Sequence, residues 1–135
     1  MSHHLLVVDD EADLRTLVSE AMQRDGHLVK PAAHGMEALR LAVRSRPSLV
    51  ITDLHMPVMD GLQLIENLRR RPALAAIPVI LWTALPSEEP RVATASRLSG
   101  VHVVMKGPLE HLRHAVTIVL HRRSGHRIDS AQPLR

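Results

Sequence analysis

Apolar residues gather in short runs of strand length, separated by segments with the spacing of a helix. The runs are rich in Val, Ile and Leu and do not alternate with polar residues, which is typical of strands buried on both faces of a parallel sheet. We predict five strands, at residues 4–8, 27–32, 49–51, 77–82 and 101–105. The second strand has the faintest pattern.

Between these strands, apolar residues recur at the i, i+3, i+4 and i+7 positions of one helical face. The predicted stripes are Leu14, Leu17, Val18 and Ala21; Leu39, Ala42 and Val43; Leu64, Ile65 and Leu68; and Leu109, Leu112, Val116 and Val119. A weaker helix is predicted at residues 87–98, with Ser87 as its cap and Pro90 in its first turn. Strands and helices in alternation predict an α/β sheet with helices on both faces.

Length and composition predict one domain and narrow the class of protein. A chain of 135 residues with 45% hydrophobic content suits a single core. We assign the domain to residues 1–122 and expect a flexible tail at 123–135, where the apolar period is lost. Because the chain has no cysteine, disulfides, thiolate metal sites and cysteine nucleophiles are excluded. Acids near the start and the lack of a long apolar run predict a soluble cytoplasmic protein without a membrane anchor.

The positive charge suggests nucleic-acid binding and the histidine content suggests a zinc site, and neither is favoured. The net charge is +3 and the pI about 10.5, but Trp82 is the only aromatic residue besides histidine. Stacking on aromatic side chains is central to single-strand binding, so we predict no nucleic-acid partner. His111 and His114 have the spacing of a zinc site, but Arg113 between them would repel a cation, and we predict none there.

Polar residues follow four of the predicted strands. They are Asp9 and Asp10, Asp53, Thr83 and Lys106. Ligands of a doubly wound sheet bind beyond the carboxyl ends of its strands, so these residues are expected to meet in one crevice. Three close carboxylates repel each other by roughly 1 to 4 kcal/mol per pair. A hard cation relieves that repulsion, and Mg²⁺ also accepts water and phosphate oxygens.

This set of groups suits phosphoryl transfer to a carboxylate. A carboxylate is able to act as a nucleophile, and we predict that Asp53 becomes an acyl phosphate. Mg²⁺, the Lys106 ammonium and the Thr83 hydroxyl would neutralise charge on the transferred group. Taken alone, Asp9 and Asp10 suit equally well a role as acids at a helix start.

Four motifs make the sequence resemble the receiver domain of two-component response regulators. In chain order they are LLVVDDE, LVITDLHMPVMDG, VILWTA and VVMKGP. The resemblance implies a flavodoxin-like five-stranded parallel sheet of order 2-1-3-4-5 with five helices. It also implies Mg²⁺ held by Asp10, Asp53 and the backbone carbonyl of His55, with Asp9 acting largely through water. Asp53 would receive its phosphoryl group from a histidine kinase or a phosphotransfer protein.

The chain departs from the family pattern at three positions. The family usually has Tyr or Phe three residues before the lysine, where this chain has Val103. The lysine is normally followed at once by a cis-proline, but Gly107 separates Lys106 from Pro108. His55 occupies a position that tunes hydrolysis of the acyl phosphate in the family. The usual aromatic switch is therefore missing, and the phosphorylated lifetime does not follow from the sequence.

Three functions are compared. The favoured one is a stand-alone receiver, a monomer or weak dimer that is not an enzyme and contacts a downstream protein through residues 87–120. The alternative is an interaction module that works without phosphorylation, which Val103 and Gly107 favour. An aspartate-based phosphatase is disfavoured because such enzymes need an acid two residues after the nucleophile, where His55 stands.

Overall fold

The computed structural model describes the backbone of residues 3–129 and the side chains of residues 3–122. Strands and helices alternate along the whole of this range. The strands are β1 (His4–Val8), β2 (Leu28–Ala32), β3 (Leu49–Thr52), β4 (Val79–Thr83) and β5 (Val101–Met105). The helices are α1 (Ala12–Arg24), α2 (Gly35–Arg44), α3 (Gly61–Arg70), α4 (Pro90–Ser96) and α5 (Leu109–Asp129).

All neighbouring strands are parallel, and the sheet order is β2-β1-β3-β4-β5. The predicted fold class and strand order are therefore confirmed. β1 lies between β2 and β3, with Val8 beside Thr52 of β3. This register places the residues that follow β1 and β3 next to each other at the carboxyl edge of the sheet.

The sheet separates two apolar clusters, one on each face. One face packs against α2, α3 and α4 through residues such as Leu39, Leu64 and Val92. The other packs against α1 and α5 through residues such as Met22 and Leu112. Since each face is covered by helices, the central strands need apolar residues at consecutive positions, which explains the runs in the sequence.

The edge strands are less buried than the central ones. Every residue of β3 and β4 is buried, whereas β5 has exposed residues at Val103 and Met105. On the opposite edge, β2 contains Pro31, which lacks an amide hydrogen and is tolerated at a sheet edge. This exposure explains why the second strand gave the faintest pattern.

Two helix starts are fixed by side chains close to the carboxyl edge of the sheet. Asp60 caps α3 in a capping box, in which it accepts the Gln63 N–H and the Gln63 side chain accepts the Asp60 N–H. Glu89 caps α4 by accepting the N–H groups of Arg91 and Val92. The predicted cap at Ser87 is wrong, because residues 87–89 form the preceding loop and the helix is shorter than predicted.

Two members of the predicted stripes are also wrong. Leu17 is 47% exposed and Val43 is 55% exposed, while Val18 and Ala42 beside them are buried. Each lies at the margin of an apolar face, where the neighbouring element is too far away to cover it.

The last helix continues beyond the apolar stripe of the sequence. α5 ends at Asp129, so the backbone of residues 123–129 is helical, and the rest of the predicted tail, 130–135, lies outside the described residues. Within residues 3–129, no helix is both long and apolar enough to cross a membrane.

Candidate functional site

Three carboxylates come together where β1 and β3 end. Asp9 and Asp10 directly follow β1, and Asp53 directly follows β3. Backbone bonds continue the sheet past the strand ends, because Asp53 N–H donates to Val8 O at 3.1 Å and Asp9 N–H donates to Ala32 O at 3.1 Å. The acids are therefore held by the backbone of the sheet itself.

The carboxylates are close enough to share one cation. One oxygen from each of Asp9, Asp10 and Asp53 lies within 4.8 Å of the others. Around octahedral Mg²⁺, with bonds of about 2.1 Å, ligand oxygens are roughly 3 to 4 Å apart. A small movement of these side chains would therefore bring the three carboxylate oxygens to the spacing that Mg²⁺ needs. Hard oxygen donors with solvent on one side suit Mg²⁺ better than a soft metal.

Asp9 is the buried acid of the cluster. Its exposure is 4%. Removal from water raises the pKa of the Asp9 carboxyl most, a bond from the Glu11 N–H and the Lys106 ammonium oppose this, and Asp53 and Asp10 add to it. A cation between the acids would favour the ionised form of Asp9.

Lys106 joins the cluster from the far edge of the sheet. Its Nζ is 3.3 Å from Asp53 Oδ2 and 3.6 Å from Asp9 Oδ2. The loop after β5 is tied to β4, because Lys106 N–H donates to Thr83 O at 2.8 Å. Lys106 Nζ also lies 5.2 Å from the centre of the Trp82 ring, which makes this tryptophan a natural reporter of events at the site.

Gly107 separates Lys106 from Pro108, yet the ammonium reaches both acids. A β-carbon added at Gly107 would meet nothing within 4 Å. The described residues contain no cis peptide bond. The extra residue between Lys106 and Pro108 therefore leaves Lys106 in contact with Asp53.

Thr83, the last residue of β4, lies at the same edge of the sheet. Its side chain is buried, and Oγ1 accepts the Leu85 N–H at 3.0 Å. Asp53, His55, Thr83 and Lys106 line one open cleft of about 400 Å³. The cleft is large enough to admit a phosphoryl group together with the tip of its donor.

The loop after Asp53 fixes the direction of its carboxylate. Leu54 N–H donates to Asp53 Oδ1 at 2.7 Å, while Oδ2 faces Lys106. Gly61 packs so tightly under the loop that a β-carbon there would collide with the Asp53 carbonyl oxygen and approach Leu54 Cα to 2.9 Å. Glycine is required at this position by contact rather than by an unusual backbone angle.

Val58 is the strained point of the same loop. Its φ is +67°, and the Met59 N–H donates to Pro57 O at 2.7 Å across it. A β-branched residue is disfavoured at positive φ. The side chain is 86% exposed, so no packing within the domain accounts for valine here.

The sequence did not predict two charged residues of the cleft. Glu89 and Arg91, at the start of α4, also line it. No local motif marks them, because their place depends on how the loop after β4 folds. His55 is exposed at the cleft, and its predicted role as a backbone ligand stays a prediction. His111 and His114 lie on α5 and do not line this cleft.

Comparison with known families decides the class of this site. Residues 5–117 match the family described as the response regulator receiver domain. The chain belongs to this family. Receiver domains are signalling modules that bind Mg²⁺ at an acidic pocket and interact with histidine kinases or phosphotransfer proteins.

Curated relatives of this receiver domain include proteins of different length. It is 37% identical over 108 residues to an uncharacterized 14.6 kDa protein of Leptolyngbya boryana, covering 80% of this chain and 81% of that protein. It is 31% identical over 133 residues to the transcriptional regulatory protein PrrA of Mycobacterium tuberculosis, covering 98% of this chain. The match spans only 56% of PrrA, so the chain is about half the length of that regulator.

Solved structures show the same fold. The chemotaxis protein CheY4 of Vibrio cholerae superposes with a TM-score of 0.81 at 28% identity, covering 88% of this chain and 99% of CheY4. The response regulator TrrA of Thermotoga maritima, solved in complex with Mg²⁺ and BeF, superposes with a TM-score of 0.75 at 29% identity and the same coverage. TrrA is thus a response regulator of this fold that was solved with Mg²⁺ and BeF bound.

Proposed function

We propose that this receiver domain accepts a phosphoryl group on Asp53 in a Mg²⁺-dependent reaction, from a histidine kinase or a phosphotransfer protein. The single observation that carries the proposal is the cluster of Asp9, Asp10 and Asp53, with the Lys106 ammonium 3.3 Å from Asp53. Three carboxylates this close repel each other, and a cation and a phosphoryl acceptor role account for their meeting at two strand ends.

The chain's own groups divide the reaction between them. An Asp53 carboxylate oxygen attacks phosphorus, a P–O bond forms, and the P–N bond to the donor imidazole breaks, with the electron pair leaving on nitrogen. Lys106 and the Thr83 O–H donate to the phosphoryl oxygens as their charge is redistributed. Asp10, Asp53 and the His55 carbonyl would hold Mg²⁺, with Asp9 acting through water. When bound, the metal neutralises negative charge that the acids and phosphate share.

Phosphorylation would act through contacts with other proteins. A phosphoryl group brings a charge of about −1.5 to −2 and three acceptor oxygens. We infer that residues 87–120, which include α4, β5 and the described part of α5, contact the downstream protein. Val103 and Met105, which are 36% and 51% exposed, lie on this surface.

A small phosphodonor tests the proposal. With acetyl phosphate and Mg²⁺, intact mass spectrometry should find one phosphoryl adduct in the wild type, labile to base. Asp53→Asn should remove the adduct, and Asp10→Asn should make its formation require much more Mg²⁺. The matched control is Asp13→Asn, an exposed acid in the first turn of α1. A wild type that takes no phosphoryl group overturns the proposal.

A phosphorylation-independent interaction module is the second candidate. The observation that favours it is Val103, since a short exposed side chain cannot turn inward as the family's aromatic does. Binding to a kinase or target with equal affinity by wild type and Asp53→Ala would favour this candidate. Multiple turnovers of a generic phosphate ester would instead favour a phosphatase.

A further inference from the structure

Arg91 links the starts of two helices beside the cleft. Its Nη1 lies 3.3 Å from Asp60 Oδ2, and its Nε lies 3.3 Å from Glu89 Oε2. Asp60 and Glu89 are the caps of α3 and α4, so Arg91 bridges the loop after Asp53 to the first turn of α4. The Arg91 side chain is 36% exposed, so its guanidinium is partly open to solvent.

Arg91 also faces the place where a phosphoryl group would arrive. It lines the same cleft as Asp53, Thr83 and Lys106. Lys106 is already engaged by two carboxylates, at 3.3 and 3.6 Å. Arg91 is therefore a second cationic side chain at this cleft. It lies on helix α4, whereas Lys106 follows strand β5.

The pairs that hold Arg91 are weak enough to be exchanged. Partly exposed ion pairs are individually weak, because water screens them. A phosphoryl group presents more charge and more acceptor oxygens than a carboxylate, and the guanidinium fork suits it well. Both existing partners also have a second bond to keep them in place, since Asp60 caps α3 and Glu89 caps α4 without the guanidinium.

We propose that Arg91 reports phosphorylation of Asp53: its guanidinium leaves Asp60 and Glu89, binds the phosphoryl oxygens, and draws the first turn of α4 with it. This inference rests on the proposed function, because it needs a phosphoryl group on Asp53. It gives the chain a switch in place of the aromatic residue that Val103 replaces. The differential contact that such a switch requires is the exchange of two carboxylates for one phosphoryl group.

The move would be transmitted directly to α4. Arg91 is in its first turn, and Glu89, released from the guanidinium, caps the same turn. Val92 and Ala95, the buried residues of α4, pack in the core on one side of the helix. A rotation of the first turn would therefore alter the surface formed by residues 87–120.

Hydrogen–deuterium exchange of peptides covering residues 87–96 tests the proposal. Samples are compared with and without acetyl phosphate and Mg²⁺, at equal phosphorylated fractions set by donor concentration and read by intact mass. Wild type should change its exchange rate in this segment by about fivefold on phosphorylation, the factor expected for gain or loss of one such pair. Arg91→Gln should lose most of this change and should need more donor to reach the same fraction.

Two matched variants separate a switch from a structural effect. Arg91→Lys keeps the charge without the fork and should restore part of the response. Arg97→Gln removes a positive charge from the exposed end of the same helix and should respond like wild type. An unchanged melting temperature of unphosphorylated Arg91→Gln shows that the helix still folds.

The possible results are distinct. If wild type carries the adduct and Arg91→Gln, at an equal phosphorylated fraction, shows the same change in exchange, the role of Arg91 is overturned while the proposed function stands. If wild type forms no adduct, both are overturned. A response lost in Arg91→Gln, partly restored in Arg91→Lys and retained in Arg97→Gln supports the switch.

Discussion

Asp9, Asp10 and Asp53 follow two central strands that are buried almost throughout, whereas Lys106 follows an edge strand with exposed residues. We call residues 9–10 and 53–61 the acceptor half of the site, and residues 83–91 and 103–108 the reporting half. The acceptor half has little freedom, because strand bonds, capping and the close contact of Gly61 fix it. The reporting half has open space at Gly107 and a weakly held Arg91.

Two of the chain's three departures from its family, Val103 and Gly107, are in the reporting half, and the third, His55, is in the acceptor half. The residues that would perform the chemistry match the family motifs in both halves. Positions set by strand ends cannot change without moving the sheet. Positions on an exposed edge change at little cost to folding.

The largest expected effect comes from removing Lys106, a residue of the reporting half that contacts Asp53 in the acceptor half. Lys106→Met removes the ammonium that contacts Asp53 at 3.3 Å, and we expect the rate of adduct formation to fall about 100-fold, the cost of losing one preorganised donor. Initial rates with acetyl phosphate, measured by intact mass, check this. Lys30→Met is the control, since Lys30 lies on the far edge strand β2. Equal loss in both variants would show that charge alone, not position, matters.

A pair of glycine substitutions compares the rigidity of the two halves. Gly61→Ala inserts a methyl group against the backbone of Asp53 and Leu54 and should lower the free energy of unfolding by about 2 kcal/mol. Gly107→Ala meets open space and should change it by no more than about 0.5 kcal/mol. Urea unfolding measures both. A neutral Gly61→Ala would mean that the acceptor half is looser than its contacts indicate.

The pH dependence of stability tests the electrostatics of the acceptor half. Burial raises the pKa of Asp9, so its contribution to stability is full below the unfolded value of 3.8 and is lost as pH rises through the folded value. Without Mg²⁺ at pH 7, Asp9→Asn should therefore raise the free energy of unfolding by about 1 kcal/mol, because it removes the cost of burying a charge and the repulsion from Asp53 and Asp10.

The gain from Asp9→Asn should disappear near pH 3.5, where the wild-type acid is protonated. Mg²⁺ should stabilise wild type more than the variant at pH 7, since it relieves the same repulsion. Urea unfolding at a series of pH values, with and without Mg²⁺, measures these differences. Asp13→Asn is the control; this exposed acid lies in the first turn of α1, and its loss should be slightly destabilising. A destabilised Asp9→Asn at pH 7 without Mg²⁺ would contradict the account.

The smallest expected effect concerns the strained loop. Val58→Gly relieves a φ of +67° and should raise the free energy of unfolding by about 0.5 kcal/mol, after the greater flexibility of glycine in the unfolded chain is subtracted. Val43→Gly, at an exposed position of α2 with ordinary helical geometry, should instead be destabilising by about 1 kcal/mol. Destabilisation in both variants would remove the case for strain at Val58.

The sequence predicted the acceptor half better than the reporting half for a physical reason. Strands buried on both faces leave a clear apolar run, and the residue after each run lies at a known edge of the sheet, as Asp9 and Asp53 do. Helix α4 leaves no such mark, since it has 7 residues and its cap is Glu89 rather than Ser87. The role of Arg91 depends on Asp60, 31 positions earlier in the chain, which no local pattern reveals.

The most direct test of the central claim is to locate the modified residue itself. After treatment with acetyl phosphate and Mg²⁺, borohydride reduces an acyl phosphate and leaves a mark that peptide sequencing by mass spectrometry assigns to one side chain. The account predicts a single mark, at Asp53, whose carboxylate lies between the two neighbouring acids and Lys106. A mark at Asp9, Asp10 or Asp60, or a chain with no mark at all, would contradict it.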